Sequence, residues 1–289
     1  MTVKSTSRAR IAIVGGGIAG LSCAFELSRR GLTPTVFEAG RAGEGALWAS
    51  GGMLAGAFES AESDAVPTNA ALARRGLELW SDWSELLGQE AIGYRSAGSL
   101  SPASGAAGRA WLARLSAAAG RHGFRAVPVA PPEGMTADAA LHFPDDGELD
   151  NRLLGPRLVF VLRAAGAIVH ENRAVTAINA NTGSAIELAC GADKMHFDAA
   201  ILSTGCGTGL AHVDPAFDSI LPVRGEMLSV GAQGLTLPSC IRAQKVYLSQ
   251  KPDRRIVIGA TSEAGCNRLA VDSDAINGLR IRAESLLPE

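Results

Sequence analysis

Gly15, Gly17 and Gly20 form a Gly-x-Gly-x-x-Gly pattern, and an acid, Glu38, stands 18 residues beyond the last of them. The spacing suits the cradling of a dinucleotide pyrophosphate. Gly15 permits a tight turn, Gly17 lets phosphate oxygens reach the main chain, and Gly20 lets a following helix lie close to the preceding strand. The helix N-terminus then faces the anion with free N–H groups and a favourable dipole. A carboxylate at the end of the next strand can accept both ribose hydroxyls of an adenosine.

A second stretch, GALWASGGML at 45–54, carries Trp48, Leu47 and Met53 on a backbone made mostly of glycine and alanine. Paired small residues mark either a flexible surface loop or a place where something approaches the main chain closely, and the large apolar side chains suit a partner with an apolar part. Other constellations are absent from the chain. Ser50 lacks the first glycine of a nucleophile elbow, since Trp48 occupies that place. His122, His142, His170, His196 and His212 have no metal-ligand spacing, so no metal is expected. The acidic run at 144–150 reads as a Pro-Asp-Asp-Gly turn leading into a helix cap at Asp150. Arg224 and Glu226 read either as polar groups near a cavity or as strand-edge charges.

The elements that must position these residues can be read from periodicity. Apolar Ile11 to Val14, the glycine turn, a helix to Arg30 closed by Gly31, and the strand Thr35 to Phe37 make a βαβ unit. From Gly40 to about Pro67 neither helical nor strand period appears, and so long a run inside a compact domain is either functional or disordered. Helices are expected over 68–87, 108–122, 151–165 and 273–286, with a short hairpin strand in IGYRSAGSL. AIVHENRAVTAI and HFDAAILSTGCG read as strands, and LPVRGEMLSV, KVYLSQ and RRIVIGAT as an antiparallel sheet.

Composition bounds the rest. A chain of 289 residues exceeds one ordinary domain, so two lobes or one large α/β unit are expected. Hydrophobic residues at 47% and charged residues at 19% exclude disorder, and a net charge of −2 removes a global case for nucleic acid. Cys23, Cys190, Cys206, Cys240 and Cys266 are scattered singly, which fits buried thiols in a reducing compartment. Lys4, Arg8 and Arg10 before the apolar start imitate a signal peptide, but the glycines and Glu26 argue against one. No stretch approaches about 18 uninterrupted apolar residues, so no transmembrane helix is expected and a cytoplasmic protein is the default.

A nicotinamide dehydrogenase would continue into further βα repeats after the second strand, whereas this chain enters the glycine and alanine loop. FAD, with its large isoalloxazine, gives such a loop something to wrap. With ASGGML, LPVRGEML, VYL and IVIGATSE following the fingerprint in order, the chain resembles the glycine oxidase and D-amino acid oxidase family of flavoproteins, above all the glycine oxidases of thiamine biosynthesis. The resemblance implies an α/β fold in which an FAD-binding Rossmann-like (βαβ) domain, 1–66 and 151–215, carries an inserted antiparallel-sheet plus helix substrate domain, 67–150 and 216–270. A helix at 271–289 would return towards the FAD domain. Carried over by residue, Gly15, Gly17, Ile18, Ala19 and Gly20 would meet the pyrophosphate, Glu38 and Ala39 the ribose, and Val175 the adenine. Ala46, Leu47, Gly51, Gly52 and Met53 would line the phosphate and the flavin, although Ala46 and Leu47 replace small hydroxyl residues.

Tyr247 falls where the family holds the substrate carboxylate; without the resemblance it reads as an ordinary aromatic in a half-buried strand. The implied reaction is oxidative deamination of glycine or another small amino acid or amine, with oxygen as acceptor and hydrogen peroxide as product. The chain ends at SLLPE, before the segment in which the family carries its substrate-binding arginine, so a truncated product is expected. Two alternatives follow: a non-catalytic remnant, or a D-amino acid dehydrogenase-type relative passing electrons to a quinone. The partners expected are the small substrate and oxygen, with a homo-oligomer left open and no nucleic acid.

Overall fold

A computed structural model describes residues 9–182, 185–206, 213–232 and 234–288; Lys4, Arg8 and His212 lie outside them. The chain divides into two units, Met1–Ser50 with Asn151–Pro222, and Gly51–Asp150 with Val223–Glu289.

The chain opens in the first unit with β1 (Ile11–Val14), α1 (Ile18–Arg29) and β2 (Thr35–Phe37). It passes into the second with β3 (Met53–Leu54), α2 (Gly56–Glu62), α3 (Pro67–Leu87), β4 (Ser99–Ala103), α4 (Gly105–Arg121), β5 (Val127–Val129), β6 (Ala139–Phe143) and β7 (Gly147–Glu148). It returns to the first through α5 (Asn151–Ala164), β8 (Ile168–His170), β9 (Ala177–Thr182), β10 (Ala185–Cys190), β11 (Asp193–Phe197) and β12 (Ala199–Leu202). It closes in the second with β13 (Val223–Arg224), β14 (Met227–Gly231), β15 (Cys240–Ala243), β16 (Val246–Gln250), β17 (Arg255–Gly259), β18 (Glu263–Ala264) and α6 (Ser273–Leu286).

In the first unit β12, β1, β2 and β8 form a parallel sheet in that order. Its central strand is apolar on both faces, as a strand covered on both sides must be: Ala12 and Ile13 are wholly buried and Val14 nearly so. Ala12, Val14 and Phe37 pack with Leu188 and Phe197 of the antiparallel β9–β10–β11 meander.

The second unit is built on a seven-stranded sheet of order β14-β17-β16-β15-β4-β6-β5, antiparallel except where β15 runs parallel to β4. Phe58 of α2 and Trp111, Leu112 and Leu115 of α4 pack with Leu141 and Phe143 in one core. Leu279, Ala283 and Leu286 of α6 pack with Ile241, Val246, Leu248, Ile256 and Ile258 in another. The two-residue period of β16 thus sends Val246 and Leu248 to α6 and leaves Tyr247 and Ser249 on the opposite face.

The stretch 40–67, which shows no period in the sequence, contains β3 and α2. The helix has no side-chain cap of its own at Ala55. Its first turn is capped from far along the chain by the buried Asp146 carboxylate, which accepts from the amides of Ala57 (2.8 Å) and Phe58 (3.3 Å). A cap 88 and 89 residues away leaves no local signature. Asp146 also accepts from the Ser99 hydroxyl at 2.7 Å, so the acidic run serves as an anchor within the second unit.

Candidate cofactor and substrate site

β1 delivers Gly15 at φ 107°, a left-handed conformation that suits glycine. A Cβ on Gly15 would lie 2.3 Å from the Ser203 carbonyl oxygen, and one on Gly20 would lie 1.9 Å from the Gly15 carbonyl oxygen. Two of the three glycines are therefore demanded by the packing of the strand–turn–helix itself. Gly17 differs: a Cβ there would meet nothing within 4 Å. As the N-cap of α1 it offers no side-chain acceptor to the first turn, and Ile18 and Ala19 lie exposed beside it. An open patch in front of uncapped helix amides fits a pyrophosphate oxygen.

Ser203, which directly follows β12, is a residue that motif reading does not single out. Its hydroxyl is 3.1 Å from the carbonyl oxygens of both Val14 and Gly15 and locks the turn from behind. The signal for it is the glycine-rich end of HFDAAILSTGCG, which parallels the end of β1.

Glu38 follows β2 directly. One carboxylate oxygen accepts from the Gly16 amide at 2.7 Å and the other from the Gly40 amide at 2.8 Å. Each oxygen retains acceptor capacity, so the aimed carboxylate can still take hydroxyl donors. Ala39 is exposed beside it, and Val175 packs half-buried on the Phe37–Phe197 cluster.

Further along the first unit Ala46 is exposed, whereas the Leu47 side chain is buried. Buried Asn151 donates to the carbonyl oxygens of Leu47 (3.0 Å) and Trp48 (2.7 Å), fixing the path of this loop. Gly43 and Gly155 meet backbone to backbone, a Cβ on Gly43 falling 2.6 Å from the Gly155 Cα.

The second unit brings together Gly51, Gly52, Met53 and Tyr247. A Cβ on Gly51 would lie 2.5 Å from the Tyr247 hydroxyl, and one on Gly259 would lie 2.4 Å from the same group. The bareness of Gly51 therefore makes room for Tyr247. Gly52 has φ 68° and its carbonyl accepts from the Leu149 amide at 2.8 Å. The Met53 side chain packs towards the α2–α4 core, with its sulfur 3.3 Å from Arg242 Nη1.

Tyr247 is 8% exposed, and burial pushes its phenol up to about 12, so it stays protonated across the ordinary pH range. Its hydroxyl donates to the Met227 sulfur, a weak acceptor. Arg242, directly opposite on β15, lies with its guanidinium 4.4 Å from the Phe58 ring centroid and pairs with Glu59. Arg224 and Glu226 form a paired clamp instead of two free strand-edge charges. Arg224 donates to the Glu226 carboxylate (2.9 Å) and to the Arg268 carbonyl (2.8 Å), and Glu226 accepts from the Asp272 amide at 2.7 Å.

Among the described residues, no three His, Cys, Asp or Glu side chains gather in a metal-holding cluster, and no helix is long and apolar enough to cross a membrane.

Comparison with known proteins places the chain among its relatives. The chain is 28% identical over 283 residues to a glycine oxidase of Bacillus licheniformis, covering 96% of this chain and 76% of that protein. A bifunctional ThiO/ThiG protein of Synechocystis is 27% identical over 266 residues, covering 88% of this chain and 38% of that one. The crystal structure of glycine oxidase from Geobacillus kaustophilus matches with a TM-score of 0.85 at 26% identity, over 97% of this chain and 78% of that chain. The family model described as FAD dependent oxidoreductase (DAO) matches residues 10–289, and the chain belongs to that family of FAD-dependent enzymes.

Proposed function

We propose that the chain oxidises glycine or another small primary amine, giving the oxo acid, ammonia and hydrogen peroxide from amine, water and oxygen. The observation that carries the reading is the Tyr247 hydroxyl. It is a protonated, buried donor seated on the main chain of Gly51, and its acceptor is a thioether. A substrate carboxylate is a far stronger acceptor, so exchanging one for the other favours binding.

In this reading Gly15, Gly17, Ile18, Ala19 and Gly20 hold the FAD pyrophosphate, and Glu38 with Ala39 holds the ribose. Val175 takes the adenine, and Ala46, Leu47, Gly51, Gly52 and Met53 line the phosphate and ring. Bound FAD supplies the two-electron oxidation of the C–N bond. The protein's part is to fix the carboxylate through Tyr247, so that the substrate Cα is held in one orientation with its amine free. The similarity to glycine oxidases supports glycine as substrate, with thiamine supply as the proposed purpose and the cytoplasm as the proposed compartment.

The test is anaerobic addition of glycine to FAD-loaded protein. Bleaching of the flavin, followed in air by one peroxide per ammonia, is the expected result, and an unbleached flavin would remove glycine. Reoxidation by a quinone-like dye but not by oxygen would move the assignment to a dehydrogenase. Tyr247→Phe is expected to raise KM about tenfold or more while kcat changes less, the loss of a hydrogen bond to a charged group.

A further inference from the structure

Lys251 directly follows β16, and it is 3% exposed although it carries an ammonium group. Lysines are almost never buried so fully without a task for the charge. Here every hydrogen of the ammonium is used. Nζ donates to the Gly51 carbonyl (2.7 Å), to the Leu149 carbonyl (2.8 Å) and to the Ser249 hydroxyl (2.8 Å). Ser249, wholly buried, passes its own proton to Glu148 Oε2 at 2.5 Å, so its oxygen is left to accept. Burial pulls the Lys251 pKa down, but three acceptors match the three N–H donors of the ammonium form. Glu148, also buried, sets an opposite charge beyond the serine and is itself paired with Arg95 at 3.3 Å.

The residues follow the period of the strand. Tyr247 and Ser249 share the face of β16 turned away from α6, and Lys251 continues the same i, i+2 series. Two of them meet the same residue, since Tyr247 fills the space above Gly51 while Lys251 takes its carbonyl. The next carbonyl, that of Gly52, is taken by the Leu149 amide. Because a trans peptide points its C=O and N–H in opposite directions, aiming the Gly51 carbonyl at Lys251 aims the Gly52 N–H away from it.

We propose that Lys251 is the positioning residue of the Gly51–Gly52 turn, holding the backbone of that turn in the orientation it presents to the flavin. This rests on the reading above in which Gly51, Gly52 and Met53 line FAD. Ser249 and Glu148 hold the lysine in turn.

The test uses the full chain with Lys251→Met, Lys251→Arg, Ser249→Ala and the charge-balanced double variant Glu148→Gln/Lys251→Met. Hydrogen exchange of peptides covering 51–55 and 147–150 is followed in the apoprotein, and FAD affinity by flavin fluorescence. Both methionine variants are expected to exchange these two segments at least about tenfold faster, with β1 and α1 unchanged, and to bind FAD about tenfold more weakly, equivalent to about 1.4 kcal/mol. Lys251→Arg should return affinity to within about threefold of wild type, and Ser249→Ala should fall between. Should Lys251→Met fail to fold because the buried Ser249–Glu148 pair loses its cation, the double variant decides. A folded double variant with exchange and FAD affinity within about twofold of wild type overturns the proposal. If the wild-type chain takes up no FAD, the functional reading fails, and the exchange measurement alone decides whether Lys251 fixes the turn.

Discussion

At the level of single residues, glycines that look alike in the sequence do different work. The spacing of Gly15, Gly17 and Gly20 is legible as a cofactor motif, but only placement of the neighbours shows which of them the fold itself needs. Gly20→Ala would press a methyl into the Gly15 carbonyl and the Ser203 hydroxyl, so the apoprotein is expected to lose roughly 2–3 kcal/mol in a urea titration. Gly17→Ala meets open space, and apoprotein stability should change by no more than about 1 kcal/mol. Its methyl would occupy the patch in front of the helix amides, so FAD affinity should fall at least about tenfold. Equal loss of affinity and stability in Gly17→Ala would place that glycine with Gly20 as a packing residue. Gly51 shows the same limit on what a sequence reveals. Its bareness points to a close visitor, but that Tyr247 is one such visitor becomes visible only when residues 196 positions apart are brought together.

At the level of elements, β1, α1, β2 and α6 were legible because each carries its own punctuation: a glycine turn, an apolar strand, an Asp272 cap whose carboxylate accepts from Asp274 and Ala275. Helix α2 was not, because its cap, Asp146, belongs to another segment. Removing that cap with Asp146→Ala leaves two helix amides and Ser99 without their acceptor, and should cost roughly 2–4 kcal/mol near neutral pH. Burial raises the Asp146 carboxyl from 3.8 to about 6, so between those values the folded chain holds a proton that the unfolded chain has released. Stability from this group is therefore full below about pH 4 and declines as pH rises through 6. The gap between wild type and Asp146→Ala should be wider at about pH 4.5 than at about pH 7.5, by roughly 2 kcal/mol; a gap that narrows in acid would refute the assignment. The Arg224–Glu226 clamp is a second device of this kind. Arg224→Met should speed hydrogen exchange in residues 263–272, where the Arg268 carbonyl loses its donor and Glu226, which accepts from the Asp272 amide, loses its ion-pair partner, while leaving α4 unchanged.

For the whole molecule, length allows two lobes or one large α/β unit, and the strands of the second unit follow from their alternation, but the sheet order does not. The parallel pairing of β15 with β4 joins Cys240 to Ser99 and Ile241 to Leu100, and nothing local in either segment names its partner; the shared core against α6 selects it. Cofactor binding links these long-range arrangements to stability in a measurable way. A ligand that binds only the folded chain stabilises it by about 2.7 kcal/mol at a free concentration near 100 Kd, independent of which contacts it makes. For a chain of this length that corresponds to a rise in Tm of roughly 4–5 °C. Wild-type protein titrated with FAD should show that rise, with the flavin-loaded form melting in a concentration-dependent way. Gly17→Ala, folded but blocked at the pyrophosphate patch, should melt where the apoprotein does and respond to FAD only at concentrations about tenfold higher or more. NAD at the same concentrations should leave both curves in place, because the glycine motif alone does not distinguish the two dinucleotides and the discrimination must come from the loop at 45–54. A rise with NAD equal to that with FAD would show that the loop does not select the flavin.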